Sequence, residues 1–134
     1  MTTAALPLQA AIHDRLTGDP DLMALVADVV DEVPEKQHYP YVQLGDVTEI
    51  PDDTHDRPGV EATITLHIWS RYRGWKQALV ILGHLDRILH RRPLDVDGFA
   101  VRSVVREWHK TTRDPDPTIR HIPVRFRVHL ARED

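Results

Sequence analysis

Apolar and polar residues alternate strictly over Val60–Trp69, with Ala62, Ile64, Leu66 and Ile68 set against Glu61, Thr63, Thr65 and His67. The same alternation returns as Ile122, Val124, Phe126, Val128 and Leu130 against His121, Arg125, Arg127 and His129. A period of two marks a strand with one buried and one wetter face. Between these segments the period changes. Trp75, Ala78, Leu79, Leu82, Leu85 and Leu89 recur at helical spacing and predict a helix from Gly74 to about Arg91. Phe99–His109 reads as a third strand, with Val101, Ser103 and Val105 on one face and Arg102, Val104, Arg106 and Trp108 on the other. Tyr41–Val47 reads as a fourth, where Gly45 hints at a bulge or a close backbone approach.

Two helices are predicted ahead of the strands. Leu8, Ile12 and Leu16 form one stripe over about Ala4–Thr17, and Pro7 is tolerated because it falls in the first turn. Gly18 then closes that helix. Asp19-Pro20 opens a second one as an N-cap followed by proline, turning Leu22, Leu25, Val26 and Val29 inward. Residues 50–59 hold two prolines, three aspartates and a glycine, and predict a mobile loop too long for a tight hairpin. Its candidate partner-facing residues are Asp52, Asp53, Thr54, His55 and Asp56. The long helix is apolar over more than half its circumference, because Val80, Ile81 and Ile88 widen the stripe. That surplus must be covered, either by the N-terminal helices or by a neighbouring subunit, which makes these three residues candidate interface positions.

A chain of 134 residues is one domain by its length and can bury a real core. It contains no cysteine, so neither a disulfide framework nor a thiolate metal site is available. The N-terminal stretch lacks a basic region and a long apolar run, so no signal peptide or membrane span is expected. The net charge of −4 conceals a polarity. Residues 1–70 hold 3 basic and 13 acidic side chains, a balance of −10, and residues 71–134 hold 14 and 8, a balance of +6. Either copies of the chain meet head to tail, or an anionic partner is engaged, or the halves interleave and the charges mix.

Candidate chemistry is sparse. Nine histidines raise the possibility of a metal, but none pairs at helical i, i+4 spacing and there is no His-Glu-x-x-His. His67 and His129, on the polar sides of strands, are the pair that could face each other across a sheet, without a visible third ligand. Neither Ser70 nor Ser103 sits in a nucleophile elbow, phosphate-binding glycine patterns are missing, and the Asp-rich loop lacks the glycine and terminal glutamate of a calcium loop. No metal, cofactor or catalytic residue is therefore expected. The basic residues carry more. Arg102 and Arg106 on one strand, and Arg125 and Arg127 on another, would form a basic stripe if the two strands pair. Such a stripe suits phosphates, or it blunts an exposed sheet face.

The ordered set of segments resembles the tail completion, or tail terminator, proteins of long-tailed bacteriophages and prophages. The resemblance rests on the Leu8-to-Leu16 helix, Gly18–Val26, Tyr39–Leu44, Thr54-His55-Asp56, the strand ending Leu66–Ser70, the helix from Trp75 and the closing Arg125-Phe126-Arg127-Val128. It spans nearly the whole chain. It implies an α+β domain in which helices pack on one face of an antiparallel sheet, four-stranded by the segments above. It also implies a structural protein of the virion tail or neck, assembled in the host cytoplasm, with no catalytic residues. The implied partners are further copies in a ring, as a hexamer, together with the tail tube protein, head–tail connector proteins and DNA passing through without sequence preference. Two other readings stay open: a small nucleic-acid-binding module that uses the arginine-bearing strands, and an enzyme that uses strand-borne histidines.

Overall fold

A computed structural model describes residues 3–53 and 58–133. Helix α1 (Ala5–Thr17) and the single-turn α2 (Pro20–Met23) are followed by strands β1 (Asp28–Val30), β2 (Tyr41–Pro51) and β3 (Gly59–Ser70). Then come helix α3 (Lys76–Leu89) and strands β4 (Phe99–His109), β5 (Thr112–Arg113) and β6 (Arg120–Arg132). The sheet order is β1-β2-β3-β6-β4, with β5 pairing β6 just beyond the end of β4. All pairings are antiparallel except β1 with β2. The class is α+β, as predicted. Six strands replace the expected four because β1 lies in a segment predicted as helix and the two-residue β5 in one for which no element was predicted.

The first correction has a local cause. Asp19 caps α2 by accepting from Leu22 N, and Pro20 sits at the first helical position. The helix nevertheless stops after one turn, because Ala27 N donates to Pro40 O and the β-branched pair Val29-Val30 lies beside Val42 and Gln43 as β1. Val29 is buried, as the helical reading required, but from a strand. Strand β2 runs on to Pro51, so Ile50 and Pro51 of the predicted loop belong to the sheet.

Helices α1 and α3 cover one face. Ala62, Ile64, Leu66 and Ile68 of β3, and Ile122, Val124, Phe126 and Val128 of β6, are fully buried there. Leu8, Ile12 and Leu16 of α1 and Ile81, Leu85 and Leu89 of α3 pack onto them. Ile81 and Ile88 are therefore covered by the chain's own core, and of the three candidate interface residues only Val80 is exposed, at 43%. The N-terminal helices supply the cover. The opposite sheet face has no helix over it among the described residues.

Helix α3 ends at Leu89 with His90 as its C-cap, and Arg91 follows with φ of 56°, a left-handed conformation usually left to glycine. Its N–H donates to Val104 O of β4 at 2.7 Å, which ties the helix exit to the sheet edge.

Candidate functional site

The uncovered face of the sheet divides into an aromatic end and a charged end. At the aromatic end β3 contributes His67 and Trp69, β2 contributes Tyr41, and β6 contributes His121 opposite Trp69. The Trp69 and His121 rings lie parallel, 3.9 Å apart and 3° from coplanar orientation. His67 Nδ1 and His121 Nε2 share a hydrogen bond of 2.7 Å, so one ring donates and the other accepts. Gly45 makes this possible, since a Cβ there would stand 2.6 Å from Thr65 O and 2.7 Å from the His67 ring. Burial pushes the pKa of His67 down, against the pull of Asp46. Burial and then the neighbouring His67 push His121 down to about 4, opposed by Asp114. Tyr41, buried beside Tyr39, is pushed up to about 12.

At the charged end, Glu107 Oε1 accepts from Arg125 at 2.5 Å. Its Oε2 lies 2.7 Å from Arg127 Nε, a charge contact whose angle falls short of a hydrogen bond. Arg127 Nε also stands 3.1 Å from Glu61 Oε1. Burial alone would raise the Glu107 pKa; the hydrogen bond and charge of Arg125, joined by Arg127, outweigh it and hold the carboxyl below its usual range. Trp108 lies over Arg125, with the guanidinium 5.4 Å from the ring centre.

The predicted basic stripe is divided by bulges. The register of β4 against β6 shifts between Val101 and Ser103 and again between Arg106 and Trp108. Each extra residue reverses the in–out alternation. Arg106 thereby pairs with Phe126 on the helix-covered side and binds Asp86 of α3 at 2.7 Å. Arg125 and Arg127 point the other way and are neutralised by Glu107 and Glu61. Arg102, in the first bulge, is exposed and has no charged partner among the described residues.

His67 and His129 do not meet, because His67 lies opposite Pro123 and His129 opposite Glu61. The histidine that His67 finds is His121, which only the β3–β6 register discloses. His129 Nδ1 instead approaches Asp52 Oδ2 at 3.3 Å, and Asp52, Glu61 and His129 present ligand-type atoms within 4.8 Å of one another. Arg127 already supplies a cation to Glu61 in that group. Asp53 Oδ1 accepts from Gly59 N at 3.1 Å and Asp52 N donates to Gly59 O at 3.0 Å, closing the β2–β3 connection. Thr54, His55 and Asp56 lie outside the described residues.

Half-buried rings, a hydrogen-bonded histidine pair and compensated charges line this face, and among the described residues they align no nucleophile with a base. The chain is 28% identical over 127 residues to the tail completion protein gp17 of Bacillus phage SPP1, covering 93% of this chain and 94% of that one. The solved structure of SPP1 gp17 superposes with a TM-score of 0.60 at 21% identity, over 100% of this chain and 98% of that one. A chain from the virion of a native gene transfer agent particle superposes with a TM-score of 0.88 at 22% identity, over 98% and 99% of the two chains. The sequence profile described as "Tail completion protein gp17" matches residues 10–131, and the chain belongs to that family of structural phage proteins.

Proposed function

We propose that this chain is a phage or prophage-derived tail terminator: copies form a ring that caps the tail tube and presents the surface on which the head joins. The observation that carries this reading is the family match over residues 10–131, joined to a fold shared almost end to end with a component of a gene transfer agent virion. The tail tube protein, the head–tail connector proteins and, through the ring, DNA are the proposed partners, and the virion tail or neck is the proposed location. The paired charges and stacked rings of the uncovered sheet face support a role in contact rather than catalysis. The connection that starts at Asp52 and Asp53 is proposed to touch the tube. Six copies are proposed for the ring.

The nucleic-acid reading loses most of its support. Of its four arginines, Arg106, Arg125 and Arg127 are bound to Asp86, Glu107 and Glu61. Affinity for duplex DNA depends on cations free to replace counterions, and of the four only Arg102 has no ion partner among the described residues.

The test is the mass of the protein alone and with purified tail tubes, by light scattering and negative-stain microscopy. Rings, or caps seated on tube ends, are expected. A chain that stays monomeric, leaves tube ends bare and shifts duplex DNA at low salt would overturn the terminator reading.

A further inference from the structure

The two edges of the sheet carry opposite charge that is uncompensated among the described residues. At one edge, β4 and the segment leaving α3 border a groove lined by Arg91, Arg92, Pro93 and residues 101–105. Arg91, Arg92 and Arg102 are exposed there and have no ion partner among the described residues. Arg15 of α1 reaches the same corner, donating to Pro93 O at 3.0 Å and to Ile88 O. Asp95 and Asp97 lie in the following turn, but neither lines the groove. Arg91 adopts a left-handed backbone there. Here it is held by the bond to Val104 O.

The other edge is β1 and the connector behind it. Asp28, Asp31, Glu32 and Glu35 are all exposed, with Lys36 as the one cation of that stretch. Asp28 accepts from its neighbour Val29 N, and no cation binds Asp31, Glu32 or Glu35 among the described residues. Strand-to-strand addition at the edges is disfavoured. The outer edge of β2 is interrupted by the Gly45–Asp46 bulge and ends in Pro51, and β4 carries two bulges. Contact between the edges therefore falls to side chains and charge.

We propose that the arginine-lined groove at the β4 edge receives the acidic segment Asp31–Glu35 of the next copy of this chain. The proposal rests on the ring reading and names the two surfaces that meet in it. Such a contact is heterologous, one patch against a different one, and it generates a ring when the rotation between copies closes. Complementary charge sets the direction in which copies join and opposes the reverse docking of like against like.

Two variants test this: Arg92→Glu with Arg102→Glu, which makes both edges acidic, and Asp31→Lys with Glu32→Lys and Glu35→Lys, which makes both basic. All five positions are exposed and have no ion partner among the described residues, so each variant should melt like the parent. Each alone is expected to lose assembly on tube ends at least tenfold. Mixed in equal amounts, they are expected to assemble as alternating copies. Either variant capping tubes as well as the parent would overturn the edge pairing and leave the ring standing. Both failing, mixed as well as alone, would equally overturn direct pairing. The parent failing to cap tubes would remove the ring and this contact together. Normal assembly of the Arg92→Glu, Arg102→Glu chain with loss of duplex DNA binding would assign the groove to phosphate instead.

Discussion

The carboxylate of Asp19 accepts from Leu22 N at 3.0 Å and from both terminal nitrogens of Arg87, at 2.8 and 3.0 Å. The Arg87 hydrogen bond, aided by Leu22 N, holds the Asp19 pKa near 2. One side chain thus starts α2 and fastens it to α3. Asp19→Ala is expected to destabilise the fold by about 1–2 kcal/mol in urea titrations, the range for losing an N-cap. Asp19→Asn keeps the cap but loses the charge, and should cost less. An alanine variant as stable as the parent would show that the cap is not holding α2. The sequence disclosed this residue as a cap; its pairing with Arg87, 68 positions away, was not legible, because no local pattern encodes it.

Among the elements, α3 has the clearest division of labour. Leu85 is fully buried against the sheet, whereas Leu79 is 41% exposed. Leu85→Ala is expected to cost about 2–5 kcal/mol, as a cavity in a packed core does. Leu79→Ala should stay within about 0.5 kcal/mol, and equal losses at the two positions would refute this placement of the helix. Long elements were legible because their period repeats many times: β3, β6 and α3 fall where the alternation and the helical stripe put them. Short ones were not. Strand β1 is three residues whose inward Val29 suits a helix equally well, and β5 is two residues in a polar stretch. Bulges were illegible too, since nothing near Arg102 or Glu107 announces an extra residue. That is why Arg106 changed faces and the predicted arginine stripe divided. Gly45 is the exception, a glycine whose stated alternatives, bulge and close approach, both hold.

For the molecule as a whole, the charge asymmetry of the sequence is partly mixed and partly preserved. Pairs such as Glu61 with Arg127 and Asp19 with Arg87 join the acidic and basic halves on partly exposed surfaces of the fold, while the sheet edges keep them apart. Stability should respond to acid in two stages. In the fold His121 holds its neutral form down to about pH 4, whereas an unperturbed histidine takes up a proton near 6.5. Stability is therefore undiminished above about pH 6.5 and falls as the pH drops from there towards 4, because only the unfolded chain binds the proton. Carboxylates held low act further down. Asp19, ionised until about pH 2 rather than 3.8, stabilises above its ordinary range and ceases to do so as pH approaches 2. Melting temperatures measured from pH 8 to 2 should show both stages, and His121→Phe, which keeps a ring beside Trp69, should shrink the first. An unchanged first stage in that variant would refute the role of the histidine pair. The sheet order has a separate consequence for how the chain reaches this state. Strand β6, last in sequence, lies between β3 and β4, and β4 has no other strand partner. While the chain is being made, β2 and β3 can form a hairpin, but α3 and β4 must wait, their apolar sides uncovered, for residues 120–132. Such late closure of a distant pairing is slow and leaves sticky surface open to other chains. Ribosome stalling or truncation ahead of β6 would thus yield an aggregation-prone chain rather than a smaller folded one.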